Sequence, residues 1–285
     1  MEEKFTITEA FILAQENQKK NNYQIARNYY NEILKVKPNH VGSLNNLGLI
    51  YQNFGDNQRA IACYNKVIEI DPAVANAYCN LGVIFHKNKE TQKAKDHYLS
   101  ALALDANQLE AQNNLGALYN ELGESQKAIE QLKKLIKINS SNAAALNNLG
   151  IAYKQLGKLY KAKNFYLKAI EIEPNFANAH SNLGNIFSKL GEHQKAMNCF
   201  KKTIEIDPNH SISHYNLGNE YKALTDFRSA ESCYKKSIET DPSNKKALAA
   251  YGDILLNLNE HLKGLEYIIK GEGNIKFTMS NFEVV

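Results

Sequence analysis

Apolar and small residues recur along this chain in two alternating clusters, and the whole pattern repeats every 34 residues. With Val41 as position 1, the first cluster occupies positions 4, 7, 8 and 11, as in Leu44, Leu47, Gly48 and Tyr51. The second occupies positions 20, 24 and 27, as in Ala60, Tyr64 and Val67. Spacings of three and four residues put each cluster on one helix face, so every period predicts two amphipathic helices of about a dozen residues. Position 15, between them, is Gly55, Gly123, Gly157 or Gly191 in four periods, which suits the left-handed residue that ends a helix. Proline at position 32 (Pro72, Pro174, Pro208 and Pro242) is expected to stop the second helix. Glycine at 8 and alanine at 20 are expected to remove bulk where the two helices cross.

The register holds without insertion from Ile7 to Thr278, which gives eight units: 7–40, 41–74, 75–108, 109–142, 143–176, 177–210, 211–244 and 245–278. A fixed period of this length is the mark of a solenoid, in which each unit buries its apolar face only against its neighbours. A single eight-unit domain with no internal boundary is therefore expected. The end units are atypical, with Ala14 and Asn17 at positions 8 and 11 of the first, and Tyr251, Gly264 and Gly271 at 7, 20 and 27 of the last. Terminal units face solvent on one side, so these read as caps. Residues 279–285 form a tail, and the stretch "NIKFTMSNFEVV" breaks the repeat with a strand-like alternation of Ile275, Phe277 and Met279. A cover for the last unit is the preferred role; a peptide recognised elsewhere and a junction to a further domain are the alternatives.

The 34-residue length, the Leu-Gly-x-x-Tyr/Phe phrase, the alanine and the proline agree in phase over several units. Together they resemble the tetratricopeptide repeat family over almost the entire chain. The resemblance implies an all-α fold, a right-handed superhelical solenoid of antiparallel helix pairs whose first helices line a concave groove.

One residue stands out on that first helix. Asparagine, a poor helix former, occupies position 6 in six consecutive units, as Asn46, Asn80, Asn114, Asn148, Asn182 and Asn216. Positions 2, 6, 9 and 13 form a stripe away from the Leu-Gly-Tyr face, so the six amides are expected to form a ladder along the groove. An amide offers both a donor and an acceptor, the complement of a peptide unit. Helices packed about 8–10 Å apart and a strand rise of about 3.3 Å per residue put one rung at roughly every third residue of an extended ligand. Six helix sites at up to roughly 0.7 kcal/mol each amount to a few kcal/mol that asks for a compensating role, although the same asparagines can serve architecture alone. Asn45, Asn113 and Asn147 at position 5, and Asn185 and Asn219 at position 9, add further amides. The ladder is similar to the asparagine-lined repeats of O-linked N-acetylglucosamine transferases, which hold extended polypeptides. No segment of this sequence corresponds to their catalytic domain.

The remaining groove positions colour the ligand. Leu49, Val83, Ala117 and Ile151 at position 9 offer apolar floors, and Lys87, Lys154, Lys189 and Lys222 at positions 12 and 13 stand against Glu121. An extended peptide with acidic character and scattered apolar side chains is the expected partner. Another use of such repeats, clamping the acidic tail of heat-shock chaperones, resembles a pattern that Ser181, Asn185, Asn216, Lys246 and Ala250 match at only three of five places. The main expectation is thus a protein–protein interaction module. A targeting subunit for a separately encoded enzyme such as a glycosyltransferase, and a weakly self-associating scaffold, are its alternatives.

Composition narrows the rest. The chain of 285 residues is 44% hydrophobic and 22% charged, with 34 basic and 30 acidic residues for a net charge of +4, so no nucleic-acid partner is expected. The acidic start and the lack of a bilayer-length apolar run imply a cytoplasmic protein without a membrane partner. Cys63, Cys79, Cys199 and Cys233 read as reduced packing residues. His180, His210 and His214 are close enough in phase to suggest a metal, but position 4 is a packing site, so no metal or other cofactor is expected. No catalytic motif occurs, and no enzyme is expected.

Overall fold

The computed structural model describes residues 5–273, 275–277 and 282–284. The pattern of two helices per period is borne out. The chain forms α1 (Ile7–Lys19), α2 (Tyr23–Val36), α3 (Val41–Asn53), α4 (Asn57–Ile70), α5 (Ala75–Lys87), α6 (Thr91–Leu104), α7 (Leu109–Glu121) and α8 (Ser125–Ile138). It continues through α9 (Ala143–Gln155), α10 (Leu159–Ile172), α11 (Ala177–Lys189), α12 (His193–Ile206), α13 (Ser211–Ala223), α14 (Phe227–Thr240), α15 (Lys245–Asn257) and α16 (His261–Glu272). These helices fall into two compact units, one ending at Ser140 and the other beginning at Ser141. Within each unit every helix packs against the next in sequence. The fold is an all-α array of helix pairs.

The turn inside each pair is the same in all eight periods. Gly55, Gly123, Gly157 and Gly191 take φ between 71° and 76°, as the sequence suggests. Asn21, Lys89, Thr225 and Asn259 occupy the same position 15 in the other four periods and take φ between 58° and 66°. Helices on both sides force the left-handed backbone even where the side chain disfavours it. Side chains of Thr6, Asp56, Asn142, Asp226 and Asn244 cap helix starts.

Glycine at position 8 has a sharper task than the sequence suggests. It makes room for the large side chain at position 24. A Cβ at Gly48, Gly82, Gly116, Gly150, Gly184 or Gly218 would fall 2.4–2.6 Å from Tyr64, Tyr98, Leu132, Tyr166, Phe200 or Tyr234 respectively. These six side chains are all buried. An aromatic ring removes roughly 150–250 Å² from water, about 4–6 kcal/mol at about 25 cal/mol/Å² before conformational entropy is counted. In the last pair positions 8 and 20 meet directly, where a Cβ on Gly252 would lie 2.6 Å from the Gly264 carbonyl oxygen.

After α16 the backbone turns at Gly273, with φ 102°. Strand β1 (Ile275–Phe277) then pairs antiparallel with β2 (Phe282–Val284), so the strand-like alternation is realised as a hairpin, and residues 275–277 of the eighth period belong to it. Met279 lies outside the described residues.

Two substitutions test this packing by urea denaturation. Gly150→Ala, which in an open helix would stabilise by about 0.5–1 kcal/mol, is expected instead to destabilise by about 1–3 kcal/mol through overpacking against Tyr166. Thr225→Gly is expected to stabilise by up to about 1 kcal/mol, because it releases a β-branched residue from the left-handed region.

Candidate functional site

The position-6 asparagines lie on the first helices of successive pairs, three in each compact unit: Asn46, Asn80 and Asn114, then Asn148, Asn182 and Asn216. All are partly exposed except Asn80, at 9%. Several amides are bonded to neighbouring repeats. Asn46 Nδ2 donates to the Tyr30 hydroxyl at 3.0 Å, Asn182 Nδ2 to Asn147 Oδ1 at 3.0 Å, and Asn216 Nδ2 to Asn185 Oδ1 at 2.9 Å. A side-chain amide has two N–H donors and two acceptor lone pairs. One inter-repeat bond therefore fixes the amide plane while leaving a donor and the whole carbonyl oxygen.

The supporting amides are in part absorbed by this network. Asn147 is buried beneath Asn182, and Asn185 accepts from Asn216. Asn219 accepts from the Tyr234 hydroxyl at 2.8 Å. Asn45 and Asn113 are half-buried beside the first and third rungs. Sequence spacing within one unit places these residues on the right helix but cannot show bonds to residues 31 to 35 positions away.

Beside the amides, Leu49, Val83, Ala117 and Ile151 are partly exposed, as expected of apolar floors. Asn46, Leu49 and Asn53 of α3 join Gln15 and Gln18 of α1 around an open hollow of about 370 Å³. The charges are distributed less evenly than the sequence implies. Lys222 forms an ion pair with Asp253 at position 9 of the next repeat, and Glu121 meets His86 Nε2 at 2.8 Å. Lys87 and Lys189 are exposed, and Lys154 is half-buried. Burial, followed by repulsion from Lys189, pulls the Lys154 ammonium below the usual lysine range. Asp253 was legible as a charged residue at a position that is otherwise apolar or amide, but its pairing depends on the neighbouring repeat.

With this geometry in place, the chain can be set beside known proteins. Models of the tetratricopeptide repeat match residues 10–40, 29–62, 75–108, 177–210 and 212–244, and a TPR repeat model matches 54–89, 118–157 and 152–191. The chain belongs to the tetratricopeptide repeat family. No curated protein matches the sequence. Among solved structures, PilF of Pseudomonas aeruginosa is similar with a TM-score of 0.66 and 22% identity, over 76% of this chain and 97% of PilF. A tetratricopeptide repeat protein from Parabacteroides merdae gives a TM-score of 0.68 at 18% identity, over 88% of this chain and 99% of its own. YrrB, described as a TPR protein with an unusual peptide-binding site, gives 0.52 at 22%, over 65% of this chain and 95% of its own. A chain of the Cut9–Hcn1 hetero-tetramer from APC/C gives 0.75 at 19%; the likeness covers 87% of this chain but only 48% of that one. At these identities the likenesses establish the fold. As a tetratricopeptide protein the chain is a protein-interaction module, and its repeat is generally a non-catalytic scaffold.

The histidines and cysteines serve the architecture of this tetratricopeptide array. The Nε2 atoms of His180 and His214 bond the carbonyls of Pro174 and Pro208, both at 2.9 Å, tying position 4 to the preceding loop. His210 Nδ1 accepts from the Ser213 backbone N–H at the start of α13. Burial pushes the thiols of Cys63, Cys199 and Cys233 up to about 11 and that of Cys79 up to about 12, which keeps them protonated and unreactive. No helix of the described residues is long and apolar enough to cross a membrane.

One charged pair was not anticipated. Glu220 occupies position 10, where the neighbouring repeats carry Ile186 and Ile254, and is only 4% exposed. Its carboxylate meets His193 Nδ1 at 2.7 Å. The signal was present in the sequence as a carboxylate in a column that, after Glu16 of the first repeat, is otherwise apolar. Glu220 is buried but His193 is exposed, so the pair returns only part of the carboxylate's desolvation cost, and Glu220→Ile is expected to stabilise the fold by about 1 kcal/mol. His193→Ala, which strands the buried carboxylate, is expected to lower the urea midpoint in the same assay.

Proposed function

We propose that this tetratricopeptide protein holds an extended segment of another protein by main-chain hydrogen bonds to its asparagine rungs. The observation that carries this reading is the state of the rung amides. Asn46, Asn182 and Asn216 are each bonded once to a neighbouring repeat, partly exposed, and left with a donor and an acceptor. Such amides are preorganised, so a ligand need not restrict freely rotating side chains. Each row of three rungs matches about seven to nine residues of extended chain. The floors at Leu49, Val83, Ala117 and Ile151 then favour small or medium apolar side chains between main-chain contacts. The description of YrrB as a peptide-binding TPR protein lends support, as does the similarity of the ladder to the transferases' repeats.

The test is an affinity capture from native lysate read by mass spectrometry. Wild type is compared with a variant carrying alanine at Asn46, Asn80, Asn114, Asn148, Asn182 and Asn216, after circular dichroism has shown equal helicity. Partners are expected to fall at least tenfold on the variant. An unchanged partner list would make the asparagines architectural and overturn the reading.

A further inference from the structure

The turn inside the fifth helix pair is written differently from those around it. Four repeats open their second helix with an acid at position 16, a glutamine at 18 and a base at 19: DNQR at Asp56–Arg59, ETQK at Glu90–Lys93, ESQK at Glu124–Lys127 and EHQK at Glu192–Lys195. In each the carboxylate pairs with the base, at 2.5 Å for Arg59, 2.6 Å for Lys93 and Lys127, and likewise for Lys195. The fifth repeat reads KLYK, with Lys158 in place of the acid and Tyr160 in place of the glutamine. Residues 141–170 contain no Asp or Glu.

The fold alone gives no reason for this change. A cation at the start of a helix opposes the macrodipole, and two cations three residues apart repel. Lys158 is the N-cap of α10 and makes no side-chain cap bond. Lys161 is nevertheless held where its counterparts are. Arg59, Lys93, Lys127, Lys161 and Lys195 each lie 4.8–5.8 Å from the centre of the position-11 ring of their own repeat, Lys161 over Tyr153 at 5.7 Å. The difference is on the other side of the cation, where neither Lys158 nor Lys161 has an ion pair among the described residues. A third cation, Lys163, stands 5.5 Å from the centre of the Tyr160 ring; Glu192 of the next repeat feels its charge but is bonded to Lys195. Tyr160 is 69% exposed, and Leu156, just after α9, is 41% exposed. Glutamine at this place would be solvated, whereas tyrosine presents a rigid apolar ring with a polar tip, a side chain enriched among those that dominate interfaces.

We propose that the fifth turn, through Lys158, Lys161, Lys163 and Tyr160, is a second docking surface that takes a short acidic segment of a partner protein with an apolar side chain among its carboxylates. The acid that four repeats carry at position 16 is supplied here by the partner, against a Lys161 already positioned by the Tyr153 ring. Tyr160 and Leu156 cover the apolar side chain. One ring and three lysines fall short of the successive stacking platforms of a nucleic-acid groove and of the larger basic clusters that hold anionic membranes. The surface lies at the turn between two helices, off the stripe of positions 2, 6, 9 and 13, so it goes beyond the groove reading and stands without it.

The probe is a fluorescein-labelled peptide amide, Glu-Glu-Leu-Glu-Glu, titrated with the full chain and read by fluorescence anisotropy, with Gln-Gln-Leu-Gln-Gln as the neutral control. Lys158→Glu combined with Tyr160→Gln rewrites the turn as its neighbours have it. This variant is expected to bind the acidic peptide at least fivefold more weakly while its Tm rises, because the pair with Lys161 is restored. Tyr160→Gln alone, at an exposed side chain, is expected to weaken binding at least twofold with the Tm unchanged. Lys168→Glu makes the same change of charge further along α10 and is expected to alter binding by less than twofold. Equal losses in the Lys158 and Lys168 variants, or equal binding of the neutral peptide, would overturn the surface. So would binding that survives in the rewritten turn but is lost when the six rung asparagines become alanine, since the peptide would then lie in the groove. Tighter binding of single-stranded oligothymidine or phosphatidylserine vesicles than of the peptide, abolished in the rewritten turn, would overturn the choice of an acidic protein segment.

Discussion

The fold of this chain depends on a large side chain at position 24 packed against a glycine at position 8, in every repeat after the first. That contact brings two short helices close enough to exclude water, and it leaves no room for even a methyl group, since a Cβ on Gly150 would stand 2.4 Å from the Tyr166 ring. Isolated helices of thirteen or fourteen residues are marginal in water, so the ring contact and the stacking of pairs carry the stability. The constraint also explains the regularity of the period. A residue inserted in either helix would rotate one face by about 100° and take the ring off its glycine, so the 34-residue spacing is a packing requirement.

The same tyrosines connect the core to the polar face. Their rings are buried, while their hydroxyls end among residues of the candidate groove: Tyr30 at Gln18 and Asn46, Tyr234 at Asn219. Burial holds the Tyr30 hydroxyl above its usual range of titration while the Asn46 amide moderates the effect, so it remains a fixed donor. The groove amides are thus positioned from beneath by the rigid part of the fold. A helix position that loses propensity to asparagine gains an anchored hydrogen-bonding group.

Much of this architecture was legible because a period multiplies weak signals. One glycine at position 15 suggests little, but four in phase mark a turn, and the structure extends that turn to Asn21, Lys89, Thr225 and Asn259. These four were not legible because the flanking helices, and not the residue, impose the backbone. The rung positions were legible in the same way. What the rungs and charges touch was not, because contacts such as Asn216 with Asn185 and Lys222 with Asp253 run from one repeat to the next. Lys222 is a groove cation within its own unit, but Asp253 of the next repeat supplies its counter-charge.

The central claim is that recognition is of the main chain. The most direct measurement takes the segment of a captured partner in three synthetic forms, native, scrambled in sequence, and N-methylated at every third residue, and compares their Kd by fluorescence anisotropy. Main-chain recognition predicts that scrambling with acidic positions retained changes Kd by less than about threefold, while N-methylation, which removes a donor at each rung, costs at least tenfold, in line with about 0.5–1.5 kcal/mol per hydrogen bond. A scrambled peptide that fails to bind while the N-methylated one binds as tightly as the native segment would contradict the account.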